Sequence, residues 1–268
     1  MMGVGYATGV TLPYFLRKDG SRGPLAFAHR GFSLDGLENS MAAFRAAVDL
    51  GTVHLETDVH TTSDDVLVVF HDSSLDRVTD SVGTISSLTA AEVATARIGG
   101  VESVPTFDEL VAAFPQARFN LDVKDWNSVA PLAAAIEKHG IYDRVLVTSF
   151  SDRRRRAVLR RLSRRVASSA GSLVTAVFVL LGPVLPVPLA RKLLSGVDVF
   201  QVPVRYGKLP VVTPAFIQRA HGLGLDVHVW TINEPAEMDR LLDLGVDGLV
   251  SDRLDLLKEV LIRRGEWL

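Results

Sequence analysis

Residues 25–58 read LAFAHRGFSLDGLENSMAAFRAAVDLGTVHLETD, and their pattern decides the fold. Leu25 to His29 is a short apolar run of the kind a buried parallel strand requires. Ser40 stands at the N-cap position of MAAFRAAVDL, a helical pattern that stops at Gly51. A second apolar run, 53–58, follows at once. Together they form one strand–helix–strand unit of a parallel sheet.

Outward from this unit the alternation continues almost to the end of the 268 residues. Further strands are expected at 118–123, 145–149, 165–169, 198–202, 226–230 and 248–251. Helical patterns occupy 129–139, 152–162, 173–194, 235–244 and 254–263. Thr106 and Glu109 have capping-box spacing before LVAAF, and Thr213-Pro214 opens a helix ending near Gly222 or Gly224. Eight strands, each followed by a helix, predict a single (β/α)8 TIM barrel, one domain over 1–268. The irregularity is an insertion at about 61–104, between the second strand and its helix. It holds VLVVFHD, an extra strand, and a polar stretch through Ser87; loops this long in a compact domain usually carry function.

A hydrophobic fraction of 47% with 22% charged residues fits a folded globular protein. The net charge of −2 gives no global bias toward nucleic acid or anionic membrane, and no nucleic-acid partner is expected. The absence of cysteine excludes a disulfide framework, a thiolate nucleophile and a cysteine zinc site. Residues 1–11 carry no basic residue before their apolar part and read as a poor signal peptide, so cytoplasmic is the default location. The run 173–189, LVTAVFVLLGPVLPVPL, is interrupted by Pro183, Pro186 and Pro188, which would break a spanning helix. Nothing in the chain indicates an oligomeric state.

In such a barrel the active site lies at the C-terminal ends of the strands. His29 and Arg30 end the first strand, Glu56 and Asp58 the second, Asp122 and Lys124 the third, and Trp230 the seventh. Glu56 and Asp58 are two apart, so both side chains leave the strand on one side. With Asp122 on the next strand they form three converging carboxylates, for which a hard divalent cation is the natural partner. Oxygen-only donors favour magnesium, calcium or manganese over zinc. Arg30 and Lys124 place fixed positive charge beside the cluster, suited to a phosphate. His29 and His71 come from separate segments and could act on opposite sides of a phosphorus centre as general base and acid. A metal-dependent amide hydrolase would need several histidine ligands, and His54 and His60 do not stand at matching strand ends.

The pieces AHRG, LENSMAAFRAAVDLG, HLETDVHTTSDDVLVVFHDSSLDRVT, VPTFDELV, FNLDVK, VLVTSF, VHVWTIN and GVDGLVSDR run in order along nearly the whole chain. In this the chain resembles the glycerophosphodiester phosphodiesterases. The resemblance implies His29 and His71 as an acid/base pair, Arg30 and Lys124 as phosphate contacts, and Glu56, Asp58 and Asp122 as ligands of one divalent cation, Mg2+ or Ca2+, with Mn2+ also admissible. It implies cleavage of a small glycerophosphodiester to glycerol 3-phosphate and an alcohol, by direct water attack or through a cyclic phosphate. Alternatives are a lysophospholipase D-type enzyme acting at a membrane surface, and an inactive barrel that only binds phosphorylated ligand.

Three positions depart from the family pattern. Asp122 stands where glutamate is usual, Ser40 replaces threonine after Glu38-Asn39, and Asp64-Asp65 replaces an Asp-Gly turn. Glu38 reads either as a further metal ligand or as an acceptor orienting Arg30. Asn39 is expected behind the site, with a possible role in capping the first helix, and Phe150, Trp230 and Asn233 as a lining of the alcohol pocket. Finally, SDRRRRAVLRRLSRR at 151–165 holds eight arginines and one acid and precedes the apolar 173–189 run. A solvated helix face is one reading; weak peripheral membrane contact through 151–194 is the other.

Overall fold

The computed structural model describes residues 12–267; the signal-peptide reading of 1–11 lies outside them. Among the described residues the parallel strands of the main sheet are β1 (Leu25–His29), β2 (His54–Thr61), β3 (Arg118–Val123), β4 (Val145–Thr148), β5 (Ala167–Ser168), β6 (Val199–Pro203), β7 (Asp226–Trp230) and β8 (Gly248–Ser251). Their order is β5-β4-β3-β2-β1-β8-β7-β6. A parallel bridge between Ser169 and Val199 closes the ring, with Ala170 N–H donating to the Val199 carbonyl at 3.0 Å and Asp198 N–H to that of Ser168 at 2.8 Å. This is the (β/α)8 barrel the alternation predicts.

Several boundaries differ from the sequence reading, each for a tertiary reason. The second strand runs on to Thr61 because the insertion's Leu67–Val69 pairs antiparallel with Val59, His60 and Thr61. The fifth strand shrinks to two residues at the point of closure. The expected helix 173–194 is two helices, Ser172–Leu181 and Val187–Leu193; Gly182 ends the first and Pro186 caps the second. The helix Asp152–Leu159 stops before 162.

The helix starts follow their caps. Ser40 Oγ accepts from Ala43 N–H at 3.1 Å, the Thr106–Glu109 capping box is complete, and Thr213 Oγ1 accepts from Phe216 N–H. Each cap contributes about 1 kcal/mol.

Apolar residues divide into three bodies. One lies between the strands and the surrounding helices, with Phe44, Leu55, Phe119, Phe200 and Leu249 at its centre. A second fills the barrel, where Tyr14 and Phe15 of the short helix Pro13–Phe15 plug the N-terminal end against Phe27, Leu146 and Val250. His54 and His228 lie in this plug; burial drives both pKa values down to about 3, so they are neutral structural residues. The third is the insertion's own core of Phe70, Leu75, Ile85 and Ile98. Full burial of such side chains, at about 1.5–3 kcal/mol each, makes the insertion a firm platform for His71.

Candidate active site

The strand register sets the site. It places His29 beside Glu56 across β1 and β2, and Asp58 beside Asp122 across β2 and β3. All three carboxylates are buried. Burial, with the charge of Asp58, pushes the Glu56 pKa up to about 7. Burial also raises Asp122, against the opposing pull of Lys124. The Lys124 ammonium bridges Asp58 Oδ1 (2.8 Å) and Asp122 Oδ2 (2.7 Å). Its own burial disfavours the charge, but the two carboxylates overcome this and lift its pKa to about 12.

Arg30 adopts φ 56°, a left-handed conformation that turns it into the mouth of the barrel. Its backbone N–H donates to the Glu56 carbonyl (3.0 Å) and to Glu56 Oε2 (3.2 Å). Its guanidinium donates to Glu38 Oε1 at 3.0 Å and lies 3.5 Å from Asp58 Oδ2. Glu38 is thereby the acceptor that orients Arg30, its other oxygen taken by Arg77. Asn39 does not cap the first helix; Ser40 does. Asn39 accepts from Thr57 Oγ1 (2.6 Å) and donates to Asp58 Oδ2 (3.4 Å), holding that carboxylate from behind.

Each histidine has a carboxylate on Nδ1. His29 Nδ1 meets Asp252 Oδ1 at 2.5 Å, and His71 Nδ1 meets Asp72 Oδ1 at 2.5 Å. A carboxylate only accepts, so Nδ1 carries the hydrogen and Nε2 is the atom left for proton transfer. Burial would lower the His29 pKa, but the Asp252 hydrogen bond and the Glu56 charge outweigh it and raise it. Asn233 steadies Asp252 through Nδ2 (2.9 Å) and through Oδ1, which accepts Asp252 N–H (3.0 Å).

The insertion is tied to the barrel at two points. His60 Nε2 donates to the His71 carbonyl (3.1 Å) while its Nδ1 meets Asp125 (2.8 Å). Arg77 joins Asp72 (2.5 Å) to Glu38 (2.6 Å), completing a chain His71–Asp72–Arg77–Glu38–Arg30. The Arg77 bond holds Asp72 down to about 2, against its slight burial. At the rim, Phe150 is exposed rather than core; it stacks edge-on with Trp230 (6.1 Å) and lies 5.7 Å from the Lys124 ammonium.

Asp252 and Arg77 were not singled out by the sequence reading, and His60, set aside there because it stands at no matching strand end, ties the insertion to the barrel. Asp252 follows β8 as His29 ends β1, so the strand-end rule would have found it. For Arg77, inside an irregular insertion, no periodic signal exists.

For a divalent cation the chemistry of the donors fits. Three carboxylates share one buried region, burial raises the pKa of Glu56 and Asp122, and Asp122 Oδ1 is buried without a hydrogen-bond partner. Among the described residues, however, no three acidic or histidine side chains stand close enough to grip one ion. The Lys124 ammonium instead bridges Asp58 and Asp122.

Residues 29–256 match the Glycerophosphoryl diester phosphodiesterase family. The Mycobacterium tuberculosis protein called "Probable glycerophosphodiester phosphodiesterase 2" is 42% identical over 94% of this chain and 95% of its own length. A lysophospholipase D of Rattus norvegicus is 28% identical over 87% of this chain and 85% of its own. An Oleispira antarctica phosphodiesterase, solved with sn-glycerol-3-phosphate as product, superposes with TM-score 0.75 at 22% identity, covering 90% of this chain and 97% of that one.

Proposed function

The chain belongs to the glycerophosphoryl diester phosphodiesterase family, and from that premise we propose that it hydrolyses glycerophosphodiesters to glycerol 3-phosphate and an alcohol, with His29 and His71 transferring protons. The observation that carries this reading is the matched pair of Asp-held imidazoles, His29 on the barrel and His71 on the insertion, the latter linked to Arg30 through Asp72, Arg77 and Glu38.

Arg30 and Lys124 hold the phosphate's non-bridging oxygens. One imidazole Nε2 takes the proton of the attacking hydroxyl, from water or from the adjacent glycerol carbon, as the new O–P bond forms; on the second route a water then attacks the cyclic phosphate and the ring oxygen on that carbon leaves with a proton. The other imidazole gives a proton to the departing alcohol oxygen as its bond to phosphorus breaks. A divalent cation, Mg2+ or Ca2+ with Mn2+ also admissible, supplies charge neutralisation at the phosphate, and Glu56, Asp58 and Asp122 are the residues that would hold it. The substrate is a small diester. Lysophospholipid is the second reading, favoured by exposed Trp126 and Phe150 at the rim.

Glycerol 3-phosphate release from glycerophosphocholine and glycerophosphoethanolamine, and lysophosphatidic acid release from lysophosphatidylcholine, tests this with EDTA and with each metal restored. Metal-restored cleavage of the water-soluble diesters is expected, lost in His29→Ala and His71→Ala. Full activity in EDTA refutes the metal, and wild-type turnover in either variant refutes the proton-transfer roles. Faster cleavage of the lysolipid selects the second reading.

A further inference from the structure

The helices Asp152–Leu159 and Ser172–Leu181 lie side by side on the outside of the barrel, and the contact that fixes them is specific. The buried Asp152 carboxylate accepts from the Gly171 N–H (3.0 Å) and the Val174 N–H (3.1 Å), so one helix start pins the other. Ser172 N–H donates to the Phe150 carbonyl (3.0 Å), which places both starts at the rim of the active-site mouth.

Their outward faces are opposite in character. The first shows Arg153 and Arg156, followed by exposed Arg160, Arg161 and Arg164. Arg155 is the exception to a purely solvated charge run: it is buried and donates to Ser168 Oγ (2.7 Å) and the Gly196 carbonyl (3.1 Å). The second helix, the turn after it and the start of the helix Val187–Leu193 show Leu173, Leu180, Leu181, Val184, Val187 and Leu189, every one more than half exposed. Apolar groups at this density on one outer face mark an interaction site. No helix among the described residues is long and apolar enough to cross a membrane.

We infer that this flank docks on an anionic lipid surface, with the apolar stripe in the headgroup boundary and the arginines on lipid phosphates. Charge complementarity selects that occupant. Across 151–194 the one acidic residue is Asp152, which is buried and engaged. A second copy laid on the same face would bring arginine against arginine, whereas an anionic bilayer satisfies the stripe and its basic border together. Docking there sets the mouth at the edge of the membrane. This goes beyond the phosphodiesterase reading, and its readout is binding rather than turnover.

The test is sedimentation of the full chain with phosphatidylcholine vesicles, with and without phosphatidylglycerol, at low and physiological ionic strength. Binding is expected only with phosphatidylglycerol and weakens with salt. Arg153→Gln with Arg156→Gln lowers partitioning on the order of 30-fold, and Leu180→Asp with Val184→Asp abolishes it. All these variants keep the wild-type rate on glycerophosphocholine and the wild-type melting temperature, because the side chains are exposed. The inference is overturned by absence of binding to phosphatidylglycerol vesicles, by equal binding of the variants, or by a dimer in light scattering that Leu180→Asp dissolves without any vesicle binding.

Discussion

Arg77→Ala separates the placement of His71 from the stability of the fold. Arg77 donates twice to Glu38 (2.6 and 3.2 Å) and twice to Asp72 (2.5 and 3.2 Å), so its removal breaks both links between the insertion and Arg30. The side chain is about half exposed, so solvent screens these pairs and their loss costs only about 1–2 kcal/mol. That corresponds to a melting temperature roughly 2–8 °C lower. The effect on catalysis is larger, because Asp72 then loses the partner that fixes its carboxylate, and with it the aim of His71 Nε2. A displacement near 1 Å costs about 100-fold in turnover. The expected result in a glycerophosphocholine assay is therefore a 100-fold loss in kcat with a modest change in melting. Added guanidinium should restore part of the rate, and Arg77→Lys, which keeps charge but not the fork, should fall between. Arg240→Ala, which breaks a comparable exposed pair with Glu237 far from the mouth, is the control and keeps full activity. If Arg77→Ala retains activity within about threefold of wild type, the linking chain does not position His71 and the reasoning fails.

Two further outcomes follow from the same geometry. Folding raises the Glu56 pKa to about 7, so the native protein binds the extra proton and its stability falls as pH climbs from the ordinary carboxylate range through that value. In EDTA, Glu56→Gln should raise the unfolding free energy on the order of 2–3 kcal/mol at about pH 8 and leave it unchanged at about pH 4; denaturant titrations at both values check the sign. Gly31 sits at φ 86° with the Ala43 backbone 2.8 Å from where a Cβ would lie. Gly31→Ala should therefore cost at least about 2 kcal/mol in urea unfolding, and an unchanged midpoint would refute the close approach.

Much of this molecule was legible in its sequence because the governing signals are local. His29 and Asp122 stand at or next to strand ends because apolar runs stop there, whereas Glu56 and Asp58 lie inside a strand that the insertion extends to Thr61. Ser40, Thr106 and Thr213 announce helix starts because a cap needs only the next three residues. Two-residue spacing alone puts Glu56 and Asp58 on one side of a strand. Partner choice is not local. Asp252 reaches His29 across 223 positions, only because ring closure brings the last strand beside the first. Arg77 finds Glu38 across 39 positions, only because the insertion, packed on its own core, leans on the mouth. The side-by-side seating of an arginine-rich helix and an apolar one likewise depends on a capping contact from Asp152 that no periodicity announces. Periodicity and capping, read along the chain, determined the barrel and the chemical inventory of its mouth; the closure of the ring and the docking of the insertion decided which group holds which, because hydrogen bonds between distant residues exist only once the strands that carry them are neighbours.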